Sequence, residues 1–240
     1  MKRAFTALKD FLLPESCCLC GEVYDFFAKK PVKITFGEKT IESPYCRSCT
    51  KALAKSFDAE KRSLAHNVNA TFLFDYSFEV VQKAIHHLKT EDCDKCFGFF
   101  AQLAGEYIGD TGIKDLTYIP RSHSLLKKNG FDQSERIIST FVRFNKDAKF
   151  LHIFERDKKH SKPQKTLSSK DRFINAQSSL IFNPKEALPK EIVVFDDVIT
   201  TGATAETAAA LLINGGAEKI ELLFLAGARI IIEERRNQNE

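Results

Sequence analysis

The clearest apolar pattern lies near the C-terminal end of the chain. Ile192-Val193-Val194-Phe195 runs without a polar break, as a strand covered on both faces requires. Pro189 stands just before it, where a strand tolerates proline. Residues 205–214, rich in Ala and Leu, read as a helix. Gly215-Gly216 supplies its C-terminal stop, and residues 220–226 form a second apolar strand. Strand, helix, strand at this spacing is a βαβ unit with an expected right-handed crossover. Upstream, Leu116-Thr117-Tyr118-Ile119 predicts a strand ending at Pro120, and residues 80–89 and 97–108 predict helices. Residues 70–155 otherwise read as helical patterns with that one short strand. The pattern predicts an α/β fold, a mostly parallel sheet flanked by helices.

The N-terminal 60 residues differ. They hold five of the seven cysteines, three prolines and short polar turns. Phe5, Leu8, Phe11, Leu12 and Leu13 suit one face of a short helix, but Lys9 and Asp10 break the run and no cleavage site follows, so a signal peptide is not expected. No stretch reaches the roughly 18 apolar residues of a membrane span. These features, with cysteines set mostly in C-x-x-C pairs, predict a cytoplasmic protein. A length of 240 residues suits one main domain with a small appendage: a cysteine module over 1–65 and an α/β domain over 66–240. The net charge of +4 fits an anionic ligand without demanding nucleic acid.

In open α/β sheets, ligands bind outside the carboxyl ends of the strands. Asp196 and Asp197 follow the strand at 192–195. Two adjacent carboxylates there can accept hydrogen bonds from a vicinal diol or hold Mg2+ with its waters. Thr200-Thr201-Gly202-Ala203-Thr204 then leads into a helix. Its glycine lets a ligand approach the backbone, and consecutive N–H groups at a helix start favour an anion. Diol and phosphate held side by side match a ribose 5-phosphate. The plain structural alternative is a strand ending in two solvated aspartates before a Thr-capped helix. There is no Walker A loop and no G-x-G-x-x-G.

The run from Ile192 to Thr204 resembles the phosphoribosyl-pyrophosphate (PRPP) signature of type I phosphoribosyltransferases: four apolar, two acidic and two apolar residues, then T-T-G-x-T. Further segments are similar to the ComF (competence protein F) family. Pro120 with Lys127-Lys128-Asn129-Gly130-Phe131-Asp132-Gln133 resembles its P-x-P … R-G-F-N-Q stretch, with Asn129 in place of Arg and Asp132 in place of Asn. Ser161, Gln164 and Leu167, then Arg172 and Asn175, resemble T-x-x-Q-x-x-L … R-x-x-N, and Ile85-His86-His87-Leu88-Lys89 resembles a helix-ending segment. The resemblance implies a type I phosphoribosyltransferase-like fold. It places Pro120, Arg121 and Ser122 against the pyrophosphate and makes residues 156–172 a mobile loop closing over the site. That loop carries seven Lys/Arg against two Asp, which suits pyrophosphate; a solvated basic loop or a DNA-contacting one would look the same. Asp196 and Asp197 would orient the ribose, and Lys127, Lys128, Lys159 and Lys162 are the available basic partners. Catalysis, if any, would come from Mg2+, basic side chains and water exclusion.

Cys17-x-x-Cys20 and Cys46-x-x-Cys49, separated by 25 residues, can form two knuckles around one tetrahedral ion. Zn2+ in a structural role is expected of a closed four-thiolate set, and the ComF resemblance includes such a zinc-ribbon-like module. A hairpin of residues 32–36 and 40–41 around Gly37-Glu38 would absorb the wide spacing. Cys18 reads as a bystander. Cys93 and Cys96, sharing a helix face, read as semi-buried helix cysteines; a second metal, a redox pair or exchange into the zinc site are the alternatives. His66, His86 and His87 read as ordinary helix or loop residues that could join a metal site.

Three functions fit. The first is a Mg2+-dependent phosphoribosyltransferase. The second is a non-catalytic PRPP-responsive protein that engages single-stranded DNA or a partner; the ComF resemblance implies a role in DNA uptake during natural transformation. The third is a nucleotide-salvage enzyme unconnected with competence.

Overall fold

A computed structural model describes residues 16–23, 32–36, 39–63, 68–157, 180–200 and 202–227. The expected N-terminal helix, the 37–38 turn, His66, the loop from 158 onward with Lys159 and Lys162, and Thr201 lie outside these residues. In chain order the elements are β1 (Val32–Phe36), β2 (Lys39–Ser43), α1 (Arg47–Ser56), β3 (Phe57–Ser63), β4 (Val68–Asp75), α2 (Glu79–Thr90) and α3 (Asp94–Thr111). There follow β5 (Asp115–Tyr118), α4 (His123–Asn129), α5 (Gln133–Phe144), β6 (Lys149–Phe150), β7 (Phe154–Arg156), β8 (Leu180–Phe182), β9 (Glu191–Ile199), α6 (Ala203–Asn214) and β10 (Lys219–Gly227).

Six strands form the central sheet in the order β3-β4-β10-β9-β5-β6. The pairs β4/β10, β10/β9, β9/β5 and β5/β6 are parallel, and β3 adds antiparallel to β4 at the edge. β1 and β2 pair as the expected hairpin. β7 and β8 form a separate antiparallel pair.

Strand alternation divides the interior into two layers. Val193, Phe195, Leu223 and Leu225 face a cluster shared with α1, α2, α3 and α5. Ile192, Val194, Leu222 and Phe224 face a second cluster with Ala205, Ala208 and Leu212 of α6. Side chains on both faces of β9 and β10 are therefore buried, which explains their unbroken apolar runs. Cys17, Leu19, Ile34, Ile41, Tyr45 and Cys46 belong to the first cluster, so the cysteine-bearing segment shares one core with the helices.

The predicted elements recur, most with longer ends, while β5 is shifted back by one residue to Asp115–Tyr118. α3 begins at Asp94 and closes on Gly112 in the left-handed region. α6 starts at Ala203 because Gly202, with φ of 75°, turns the chain into the helix. β9 extends beyond the predicted 192–195 to include both aspartates, because β10 keeps pairing with it through Gly227↔Ile199. β4 was not expected as a strand, since Asn69 and Thr71 interrupt its apolar pattern. Both polar groups are satisfied within the fold: Asn69 Nδ2 donates to Glu221 Oε1 at 2.7 Å, and Thr71 Oγ1 bonds the Tyr107 hydroxyl.

Candidate functional site

β5 and β9 are adjacent, yet their connections leave in opposite directions. β9 continues through α6 to β10 on one side, and β5 continues through α4 and α5 to β6 on the other. α6 packs in one layer and α5, with Ile137, Ile138 and Phe141, in the other. This is a topological switch point, where an open α/β sheet leaves a crevice at its carboxyl edge. β5 pairs with β9 only as far as Tyr118↔Phe195, and Ile119 N donates to Phe195 O at 3.0 Å. The sheet thus opens beside Asp196 and Asp197.

Asp197 is buried and held by two donors: Gln133 Nε2 reaches its Oδ2 at 2.5 Å and Lys89 Nζ at 3.0 Å. Asp196 Oδ1 accepts from the Asp197 backbone N–H at 2.8 Å and from Ser134 Oγ at 3.5 Å. Burial, and then the neighbouring Asp197 charge, push the Asp196 carboxyl up to about 8, against the counteracting Lys89 and Arg156 cations. The buried Gln133 Oε1 makes no hydrogen bond among the described residues.

A second carboxylate supports this wall. Asp132 caps α5 by accepting from Ser134 N and Glu135 N, and it also accepts from Arg121 N at 2.7 Å. Burial raises its pKa, and these N–H donors and the Arg121 charge work against that rise. The Arg121 guanidinium donates to Lys89 O at 3.1 Å, and Asn129 Nδ2 donates to the same carbonyl. Both departures from the family pattern therefore have structural partners. Arg156 Nε donates to Pro120 O at 2.8 Å, and its own carbonyl bonds His123 Nε2 at 2.9 Å. Burial lowers the pKa of Arg121 and Arg156, and Asp132 and Asp196 act against it on both.

The predicted residues divide as follows. Asp196, Asp197, Pro120 and Arg121 meet at the crevice. Ser122 caps α4 at its mouth. Thr200 is exposed, and Gly202, Ala203 and Thr204 form the start of α6. Lys127 and Lys128 lie exposed on the last turn of α4. The basic group that reaches the acidic pair is instead Lys89, and the Arg121 and Arg156 charges act on it from nearby. Lys89 and Gln133 stood in segments quoted for the resemblance but carried no assigned role; Arg156, expected at the start of the mobile basic loop, instead lies in β7 opposite Leu180; Ser134, one residue beyond Gln133, had no signal.

The four paired cysteines also meet. Their sulfurs lie within 4.8 Å of one another, a group that can hold a metal ion. Cys20 and Cys46 sulfurs are 3.6 Å apart. Gly21, at φ 74°, closes the first knuckle with its N–H on Cys17 O at 2.7 Å. Cys46 caps α1 and accepts from Cys49 N at 3.4 Å, while Cys46 N donates to Cys17 Sγ at 3.4 Å. Burial raises the Cys17 thiol pKa, but backbone donors from Cys46, Leu19 and Cys20 outweigh it and lower the net value. Four sulfur donors with N–H···S support suit a thiophilic ion.

Among the described residues no helix is long and apolar enough to cross a membrane. No protein-family profile matches the chain. An adenine phosphoribosyltransferase overlaps it with 16% identity and a TM-score of 0.36, covering 65% of this chain and 75% of that one. The Saccharomyces cerevisiae adenine phosphoribosyltransferase, complexed with an imino-altritol bisphosphate and adenine, overlaps with 13% identity and a TM-score of 0.36, covering 80% and 95%. In sequence, the chain is 31% identical over 112 residues to Competence protein F of Haemophilus influenzae, a match that covers 46% of this chain and 48% of that protein. The chain thus matches about half the length of this curated relative, and over that half the two are related.

Proposed function

We propose that this chain is a ComF-type, phosphoribosyltransferase-like protein that binds PRPP with Mg2+ across the carboxyl ends of β9 and β5. One observation carries the reading: an acidic pair at the switch point of the sheet, followed five residues on by a left-handed glycine that opens a helix. Asp196 and Asp197 would accept the ribose hydroxyls or hold Mg2+ through its waters. The N–H groups at the start of α6 would take the 5-phosphate. Arg121, beside Pro120 and Ser122, and Arg156 would face the pyrophosphate, with Lys127 and Lys128 available from α4. Pyrophosphate would leave the anomeric carbon as an acceptor replaces it, with the cations offsetting the charge that builds on the leaving group. Cys17, Cys20, Cys46 and Cys49 would hold a structural Zn2+ in the module spanning 1–65.

The test is calorimetric titration of PRPP with Mg2+ into the wild type and into D196N/D197N. Binding in the wild type that disappears in the double variant is expected, and no binding to the wild type sinks the reading. Release of pyrophosphate across a panel of bases and amines then decides on catalysis.

The similarity to Competence protein F favours a second, non-exclusive reading in which PRPP binding serves single-stranded DNA handling rather than turnover. The basic residues 156–172 would contact the strand. DNA affinity should then fall steeply with salt; undetectable or salt-insensitive binding removes this reading.

A further inference from the structure

The three remaining cysteines are not scattered. Cys18, His87 and Cys96 each place a ligand atom within 4.8 Å of the other two. They come from separate places: Cys18 from the first knuckle, His87 from the last turn of α2, and Cys96 from the first turn of α3. All three cysteines, Cys18, Cys93 and Cys96, are free thiols, and Cys18 and Cys93 both flank the Cys96 sulfur at side-chain hydrogen-bonding range.

The two C-x-x-C pairs that open helices are built alike. Cys46 is the N-cap of α1 and Cys49 sits in its first turn, while Cys93 is the N-cap of α3 and Cys96 sits in its first turn. Cys17 and Cys20 turn toward the first pair, and the intervening Cys18 turns toward the second. One short knuckle therefore supplies sulfur in two directions.

Two buried polar atoms beside this second group lack partners among the described residues: His87 Nδ1 and the Tyr45 hydroxyl. Tyr45 is fully buried, with Cys96, Cys18 and Cys93 as its ionisable neighbours. The Cys96 thiol is the group within side-chain hydrogen-bonding range of this buried phenol. A phenol donating to metal-bound thiolate is an ordinary outer-sphere contact. An imidazole and two or three sulfurs form a donor set that selects zinc-class ions over magnesium or calcium.

We propose that Cys18, His87 and Cys96, with Cys93 as the adjacent fourth ligand, form a second metal site that takes a zinc-class divalent cation. On binding, the thiol protons pass to solvent and metal–sulfur bonds replace them. The exposed Cys18 gives the ion a path in. This site would tie the knuckle to α2 and α3, and it does not depend on the four-cysteine reading.

The experiment measures bound zinc per full-length chain by elemental analysis after gel filtration, for the wild type and for C18S, H87A and C20S/C49S. Two ions are expected in the wild type, falling by half in C18S and in H87A, with a different ion lost in C20S/C49S. Cys18 is exposed, so C18S should fold even if H87A does not. Wild-type stoichiometry unchanged in C18S and H87A overturns the proposal, as does a Cys18–Cys96 disulfide in place of metal. A single wild-type ion that is lost in C18S but kept in C20S/C49S upholds this site and refutes the four-cysteine one.

Discussion

The thiol cluster and the carboxylate cluster face the same electrostatic difficulty and resolve it differently. Each gathers groups that carry negative charge when they act. The four thiols are close in sequence within each pair, and their support is local: Cys49 N on Cys46 Sγ, Cys46 N on Cys17 Sγ, and a glycine-closed knuckle. An ion bound among them would leave no position open, so the site is suited to holding the fold together. Asp196 and Asp197 are supported instead by Lys89 from α2, Gln133 and Ser134 from α5, and the cations Arg121 and Arg156 beyond. That support is incomplete, since burial still raises Asp196 and Gln133 Oε1 has no partner among the described residues. A site left short of partners is suited to taking a ligand.

The comparison breaks most visibly if the thiols prove dispensable. Removing a structural zinc withdraws roughly 10 kcal/mol or more of apparent binding free energy from the folded state. Treatment with a strong chelator, or the C17S/C46S double variant, should lower the thermal midpoint by roughly 20–40 °C, because the module and α3 share one core. Scanning calorimetry with and without zinc checks this, and an unchanged midpoint removes the structural role.

At the carboxylates the large effect should fall on binding rather than on stability. Hydrogen bonds to charged groups contribute about 1.5–3 kcal/mol each, so losing two should weaken PRPP binding roughly 100-fold or more. D196N alone should not destabilise the protein at pH 8, since it removes a carboxylate whose ionisation the fold disfavours. A variant that loses binding and stability together would recast Asp196 as structural.

The two sites were also unequally readable. C-x-x-C spacing states its chemistry in the sequence, and the structure brings those four sulfurs together. The Asp196-Asp197 pair and Gly202 were equally legible, because a strand, an acidic pair and a turn glycine are local features. Their partners were not. Lys89 reaches Asp197 only because α2 ends beside β9, and Arg156 matters only because β7 passes over Pro120. Lys127 and Lys128 looked suitable by charge, but their place on the exposed last turn of α4 depends on how that helix leaves β5. β4 went unread for a related reason: the polar groups that interrupt it find partners on β10 and α3.

A pH series sharpens the comparison further. The Asp196 pKa is raised in the fold to about 8, so its protonated form is favoured. Its contribution to stability is full below the ordinary aspartate range and is lost as pH rises toward 8. Ligand binding runs the other way, because Mg2+ or a diol requires the carboxylate. PRPP affinity in Mg2+ should rise between pH 6 and 8, by up to about tenfold per unit for one proton released, and level off above. In D196N the slope should vanish. A flat wild-type profile would mean that Asp196 is already ionised.

The smallest effect isolates how Asp197 is held. Lys89 Nζ lies 3.0 Å from its carboxylate, with the lysine side chain 34% exposed and the aspartate side chain 8%. Replacing Lys89 by Met keeps the length and the apolar stem but leaves Asp197 with Gln133 as its remaining side-chain partner among the described residues. Breaking a fully buried pair costs about 3–5 kcal/mol, and solvent screening at the one-third-exposed lysine reduces that to on the order of 1–2 kcal/mol. The urea midpoint of K89M should fall accordingly, whereas K83M, which breaks the exposed Lys83–Glu79 pair on the same helix, should leave it unchanged. Equal midpoints for the two variants would mean that Asp197 is stabilised by Gln133 and the surrounding dipoles alone, and Lys89 would then be free to meet the ligand.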